Sequence, residues 1–246
     1  MNTMQSLYTI IFAAILPAFL LVIYIWLRDR YQREPISQIL KGVALGVVSA
    51  GIAYVLESGL QIFGWTFEQP VTFVQAAWNA FIGAAMPEEL SKLLMLWLLL
   101  RNNRYFDERF DGIVYAVCVG MGFAGTENIL YLLSNINEWQ SVAVGRAMFA
   151  VPGHFMFAVA MGYMYSMIYF GDMSWRKKSR IFWVPVLFHG VYDSILFMVN
   201  MHTVFSTILL LSFYVFCFML FRYGKGRIRE HLDRDSRDPN QIAFWK

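Results

Sequence analysis

The stretch Pro87-Glu88-Glu89-Leu90-Ser91-Lys92 decides how this chain is read, because mostly apolar residues run up to it over 73–86 and apolar residues run away from it over 93–100. Flanks and motif together exceed the ~20 residues a helix needs to cross a bilayer. Charge at that depth costs roughly 3 kcal/mol per residue on insertion scales. It is kept where charges pair, line a wet cavity or do chemistry. Glu88 and Glu89 lie four and three residues before Lys92, spacings that put carboxylate and ammonium on one face of a helix. Lys92 can therefore neutralise one glutamate, and one carboxylate is left over.

Outward from the motif the chain keeps the same character. Its 246 residues are 58% hydrophobic and 15% charged, against about 25% charged in soluble domains. Apolar runs at about 5–27, 38–63, 72–100, 111–134, 142–170, 180–199 and 203–222 read as about seven spanning helices. The expected fold is all-α, a polytopic transmembrane bundle forming one domain over 1–222, with a mixed-charge tail over 223–246. The first run is too long for a signal-peptide core and has no basic residue before it, so it is expected to remain as a helix. Cys118 and Cys217 lie in apolar runs and are expected as buried free thiols.

The net charge of +3 does not point to nucleic acid. Lys and Arg gather in the connections 28–41, 101–110 and 171–180 and in the tail, whereas 1–6, 64–71, 135–141 and 200–202 hold none. Under the positive-inside rule this puts the N-terminus outside and the C-terminus in the cytoplasm. Gly42 with Gly46, Ala116 with Gly120 and Ala124, and Ala150 with Ala158 and Gly162 mark faces where helices pack closely. The aromatic loop 64–70 is expected at the membrane interface, and the tail as a flexible end or one lying on the inner leaflet.

Four runs carry polar groups at middle depth. The third has Asn79, Glu88, Glu89 and Lys92. The fourth has Glu127 beside Asn128, one turn before Tyr131. The fifth has His154, with Arg146 two turns earlier, and the sixth has His189 and, one turn later, Asp193. By helix rise the ionisable groups Glu88, Glu127, His154 and His189 lie roughly 12 to 24 Å below the outer surface, so they can meet in one chamber. Each has a structural reading, such as a His189–Asp193 pair satisfying itself. Together they point to function. A carboxylate with a histidine can activate water, and a second histidine oriented by Asp193 can donate to a developing oxyanion. These are the parts for amide hydrolysis without a covalent intermediate and without a required cofactor. Ser91 turns away from Glu88, Cys118 has no basic neighbour in sequence, and His-Glu-x-x-His is absent. Zinc or another divalent metal can still be held by such residues, with Glu127, His154 and His189 the candidates.

Glu88-Glu89-x-x-Lys92, Phe123-x-x-x-Glu127, Pro152-Gly153-His154 and His189-x-x-x-Asp193, in that order on four successive helices, resemble the PrsW family of bacterial membrane proteases. So does the stretch from Phe110 to Asn128, and the likeness spans about 75–198. The resemblance implies a multi-pass protease of the bacterial plasma membrane, related to the CAAX prenyl endopeptidases. It implies a single-pass membrane substrate such as an anti-sigma factor, cut on its extracytoplasmic side as the first cleavage of a stress response. It gives the water-activating role to Glu88 or Glu89, with Lys92 pairing the other, and the oxyanion role to His189 with Asp193 as its orienter. The histidine that ends the second motif in the prenyl enzymes is replaced by either Glu127 or His154. A proton or ion transporter with a Glu/His relay, and a non-catalytic membrane scaffold, are the competing readings.

Overall fold

In lipid every backbone N–H and C=O must find its partner within the chain, which leaves helices as the solution for apolar runs of this length. The computed structural model describes residues 3–201 and 204–237, and among them there is no strand. The helices are α1 (Thr3–Arg28), α2 (Ile36–Ile62), α3 (Phe73–Trp78), α4 (Met86–Leu100), α5 (Arg109–Ser134), α6 (Trp139–Gly145), α7 (Val151–Tyr169), α8 (Arg180–Val199) and α9 (Ser206–Arg237). Six helical stretches are long and apolar enough to cross a membrane. The third apolar run, the one broken by Glu88, Glu89 and Lys92, is helical too, but a wider π-helical segment, Asn79–Ala85, joins α3 to α4. A second π segment, Arg146–Ala150, joins α6 to α7.

Both wide segments have the same local cause. Pro87 and Pro152 stand in the first turns of α4 and α7. A proline has no N–H to give, and its ring collides with the carbonyl four residues back. Those carbonyls belong to Gly83 and Met148, inside the two π segments, where the widened turn makes room.

α5 forms the centre, buried along most of its length, with α1, α2 and α7 packed around it. Glycines set the spacing. A Cβ on Gly46 would run into the Val119 carbonyl oxygen, and one on Gly162 would run into that of Gly112. The small-residue faces expected at Gly46, Gly120, Ala158 and Gly162 are the α2–α5 and α5–α7 crossings. Both cysteines are free; Cys118 is buried as expected, whereas Cys217 on the outer helix α9 is only half-buried.

The last helix departs from the hydropathy reading. α9 continues past the apolar run that ends at 222 and reaches Arg237, so residues 223–237 are helical and not a free tail. Ion pairs one turn apart, Arg229–Asp233 and Arg234–Glu230, favour helix there. Asp235 then accepts hydrogen bonds from the backbone N–H groups of Arg109 (3.2 Å) and Phe110 (2.9 Å). These are first-turn donors of α5 that have no partner within their own helix. Residues 238–246, the rest of the expected tail, lie outside the described residues.

Candidate active site

Four helices bring the predicted polar residues to one place. In α4, Glu88, Glu89 and Lys92 are all buried, Glu89 completely. Lys92 Nζ sits 3.0 Å from Glu88 Oε2 and 2.8 Å from Glu89 Oε1, so it serves both carboxylates. It also lies 3.3 Å from His154 Nδ1 and 3.9 Å above the Phe123 ring. A lone ammonium in apolar surroundings is thus held by two carboxylates, an imidazole and an aromatic face.

His189, from α8, reaches across to α4. Its Nδ1 is 2.9 Å from Glu89 Oε1, and its Nε2 is 3.2 Å from Asp193 Oδ2 and 3.9 Å from Glu88 Oε2. Asp193 therefore shares this ring with other carboxylates, and the fully buried one is Glu89. The Phe157 ring stacks on His189 at 4.7 Å and meets His154 edge-on at 5.9 Å, holding both imidazoles from one side. Beside His189, Gly190 leaves room for the Phe81 ring of the first π segment, which a Cβ would overlap.

Glu127 and His154, the two candidates for one role, are bonded to each other: Glu127 Oε2 lies 3.0 Å from His154 Nε2. Arg146 closes the group, donating through Nη2 to Glu127 and through Nε to the side-chain oxygen of Asn128. Its guanidinium lies 3.9 Å over the Tyr131 ring. Asn79 does not join the site. Its side chain exchanges hydrogen bonds with the backbone of Phe67, pinning the aromatic loop to the helix. Ser91 gives its hydroxyl proton to the Glu88 carbonyl at 2.8 Å, and Cys118 is buried, so neither offers a nucleophile.

A cavity of about 510 Å³ opens over this cluster. Glu88, Glu127, His154, His189 and Asp193 line it, whereas Glu89 and Lys92 lie behind its wall. It extends to Asn135 and Asn200, which follow the ends of α5 and α8. One lining carboxylate is not among the sequence candidates: Glu57 of α2. A signal for it exists, since Glu57 is the lone carboxylate in the second apolar run.

Glu88, Glu89, His154 and His189 each offer a donor atom, all within 4.8 Å of one another. Nitrogen and carboxylate oxygen together suit zinc or a similar divalent cation. Glu89 Oε2 is buried without a hydrogen-bond partner, an acceptor that a cation would satisfy. Glu127, expected beside the two histidines as a ligand, is outside this set and engaged by Arg146 and His154.

A family model described as PrsW family intramembrane metalloprotease matches residues 34–221, a wider span than the motifs alone. Similar curated proteins carry the name Protease PrsW. That of Geobacillus kaustophilus (strain HTA426) is 34% identical over 201 residues, covering 77% of this chain and 80% of its own. That of Clostridioides difficile (strain 630) is 34% identical over 187 residues, 74% and 77%. That of Bacillus subtilis (strain 168) is 36% identical over 201 residues, 77% and 84%. No solved structure matches the chain.

Proposed function

This chain belongs to the PrsW family of intramembrane proteases, and from that premise we propose that Glu88 activates the water that cuts a membrane-anchored protein. The observation that carries this is the division between the two glutamates. Glu88 faces the cavity, while Glu89 lies behind it between Lys92 and His189. Glu88 takes the proton from water and later returns it to the leaving amine. Glu89 and Lys92 hold the charge around it in balance.

His189 is oriented from behind by Glu89 and turns Nε2 to the cavity, where it donates to the developing oxyanion. Asp193 accepts from the same nitrogen in the resting site. His154, held by Glu127 and packed against Phe123 and Phe157, forms the facing wall. The residues also fit a divalent metal of the kind implied by the word metalloprotease in the family's description, which His154 and His189 would hold with a carboxylate of Glu88 or Glu89. When bound, such a metal supplies a Lewis acid for the scissile carbonyl and makes a bound water more acidic.

The distribution of Lys and Arg favours an N-terminus outside and a C-terminus inside. The cavity extends towards the end of the bundle whose connections lack basic residues. A substrate cut on its extracytoplasmic side, such as a single-pass anti-sigma factor, fits this arrangement. The test is purified protein in detergent with membrane-anchored anti-sigma factors from the same cell, comparing wild type, Glu88→Gln and His189→Ala, with metal content and chelator sensitivity measured alongside. Cleavage by wild type alone is expected. A substrate cut equally by all three folded proteins would overturn the proposal.

A further inference from the structure

We propose that Glu57 forms a subsite for a cationic side chain, lysine or arginine, of the polypeptide to be cut; this rests on the protease reading of the same cavity. α2 meets the cavity along one stripe, Ala50, Ala53, Tyr54 and Glu57, spaced i, i+3, i+4 and i+7. The two alanines keep the wall shallow, and Phe123 packs against them. Glu57 stands beyond them, nearer the end of α2 at Ile62.

Every other carboxylate lining this cavity has a partner. Lys92 serves Glu88, Arg146 and His154 serve Glu127, and His189 serves Asp193. The Glu57 carboxylate is half-buried and, among the described residues, has neither a hydrogen bond nor an ion pair. The fixed cations at the site, Lys92 and Arg146, are already engaged by Glu88, Glu89 and Glu127. Glu57 is therefore the lining carboxylate whose charged form has no counter-ion, and an incoming cation would hold it in that form, with a low-dielectric wall strengthening the attraction. A lysine or arginine brings the missing charge together with an aliphatic stem. Tyr54, one turn before Glu57 on the same stripe, offers an aromatic face for that stem and head. An acidic side chain at the same position meets repulsion.

The probe is a set of synthetic single-span peptides with a short extension beyond the membrane, in which each extension position in turn is lysine, norleucine or glutamate. Binding is read by fluorescence anisotropy in the Glu88→Gln background, so it does not depend on cleavage. kcat/KM is read in the otherwise wild-type protein. At one position lysine is expected to exceed norleucine by about 10- to 100-fold, the range for a hydrogen bond to a charged group. Glu57→Gln should bring that ratio to within about threefold, and Glu57→Lys should turn the preference towards glutamate. No lysine preference at any position, including the case in which no peptide binds, overturns the subsite. So does a preference that survives Glu57→Gln. A Glu57-dependent preference without any cleavage upholds the subsite and counts against the protease reading; cleavage without the preference does the reverse.

Discussion

Replacing Lys92 by methionine removes the ammonium that two buried carboxylates share, while keeping an unbranched side chain of similar length. Lys92 and Glu89 have side chains 4% and 0% exposed, and their charged atoms are 2.8 Å apart. At an effective dielectric of ~20 that separation corresponds to about 6 kcal/mol of attraction, with a similar value for Glu88 at 3.0 Å. Much of it offsets the cost of burying the charges in the first place. What remains visible is the penalty for stranding the partners, about 3–5 kcal/mol for a buried pair. Lys92→Met should therefore lose that much stability, read as a lower unfolding midpoint in detergent by tryptophan fluorescence. Most of the loss should come from one partner, because water reaches Glu88 through the cavity and does not reach Glu89. Lys92→Met combined with Glu89→Gln should return to within about 2 kcal/mol of wild type, although the double variant stays inactive. A single variant as stable as wild type, or a double variant no better than the single, would refute the reasoning.

Gly162→Ala should destabilise the α5–α7 crossing by about 1–3 kcal/mol, because the new Cβ meets backbone atoms of Gly112 and Ile113 that cannot step aside. Gly51→Ala, where a Cβ meets nothing within 4 Å, should be neutral or gain up to about 1 kcal/mol; thermal unfolding of the two separates packing from propensity. In the connections, burial pushes the carboxyls of Glu34 and Glu108 up from 4.5 to about 8 and that of Asp29 from 3.8 to about 6. Between those values the unfolded chain releases protons that the folded one retains. The contribution of these groups to stability should therefore be greatest near pH 4, fall as pH rises to about 8 and level off above it. Glu34→Gln should shallow that slope in unfolding midpoints taken across the range, and an unchanged slope would rule Glu34 out as its source.

The membrane bundle is legible in the sequence because lipid permits so few backbone solutions. The ionisable residues stand out because each is costly among apolar neighbours. The i,i+3 and i,i+4 contacts of Lys92 follow from helix geometry alone. Relations between helices do not. Spacing along α8 identifies Asp193 as a partner of His189 but is silent about Glu89, a hundred positions away on α4. Nor does spacing show that Glu127 and His154, on α5 and α7, bond to each other. Glu57 lies outside the four motif-bearing runs, so no pattern of spacing singles it out. The helical extension to Arg237 is hidden because hydropathy reports burial in lipid, whereas residues 223–237 are charged and dock on α5 through Asp235.

The two wide turns have a consequence for how this protein can vary. An α-helix advances about 100° per residue, and a π turn holds one residue more than an α turn needs. Removing one residue from Asn79–Ala85 would swing Phe73–Trp78 around the axis while leaving Glu88 in place. Removing one from Arg146–Ala150 would do the same to α6 above His154. The segments that lead into α4 and α7 can thus be re-aimed by a change in length, whereas Glu88, Glu89, Lys92 and His189 can be altered only by substitution. A polar cluster held constant between helical approaches that turn independently can meet new polypeptides without being rebuilt.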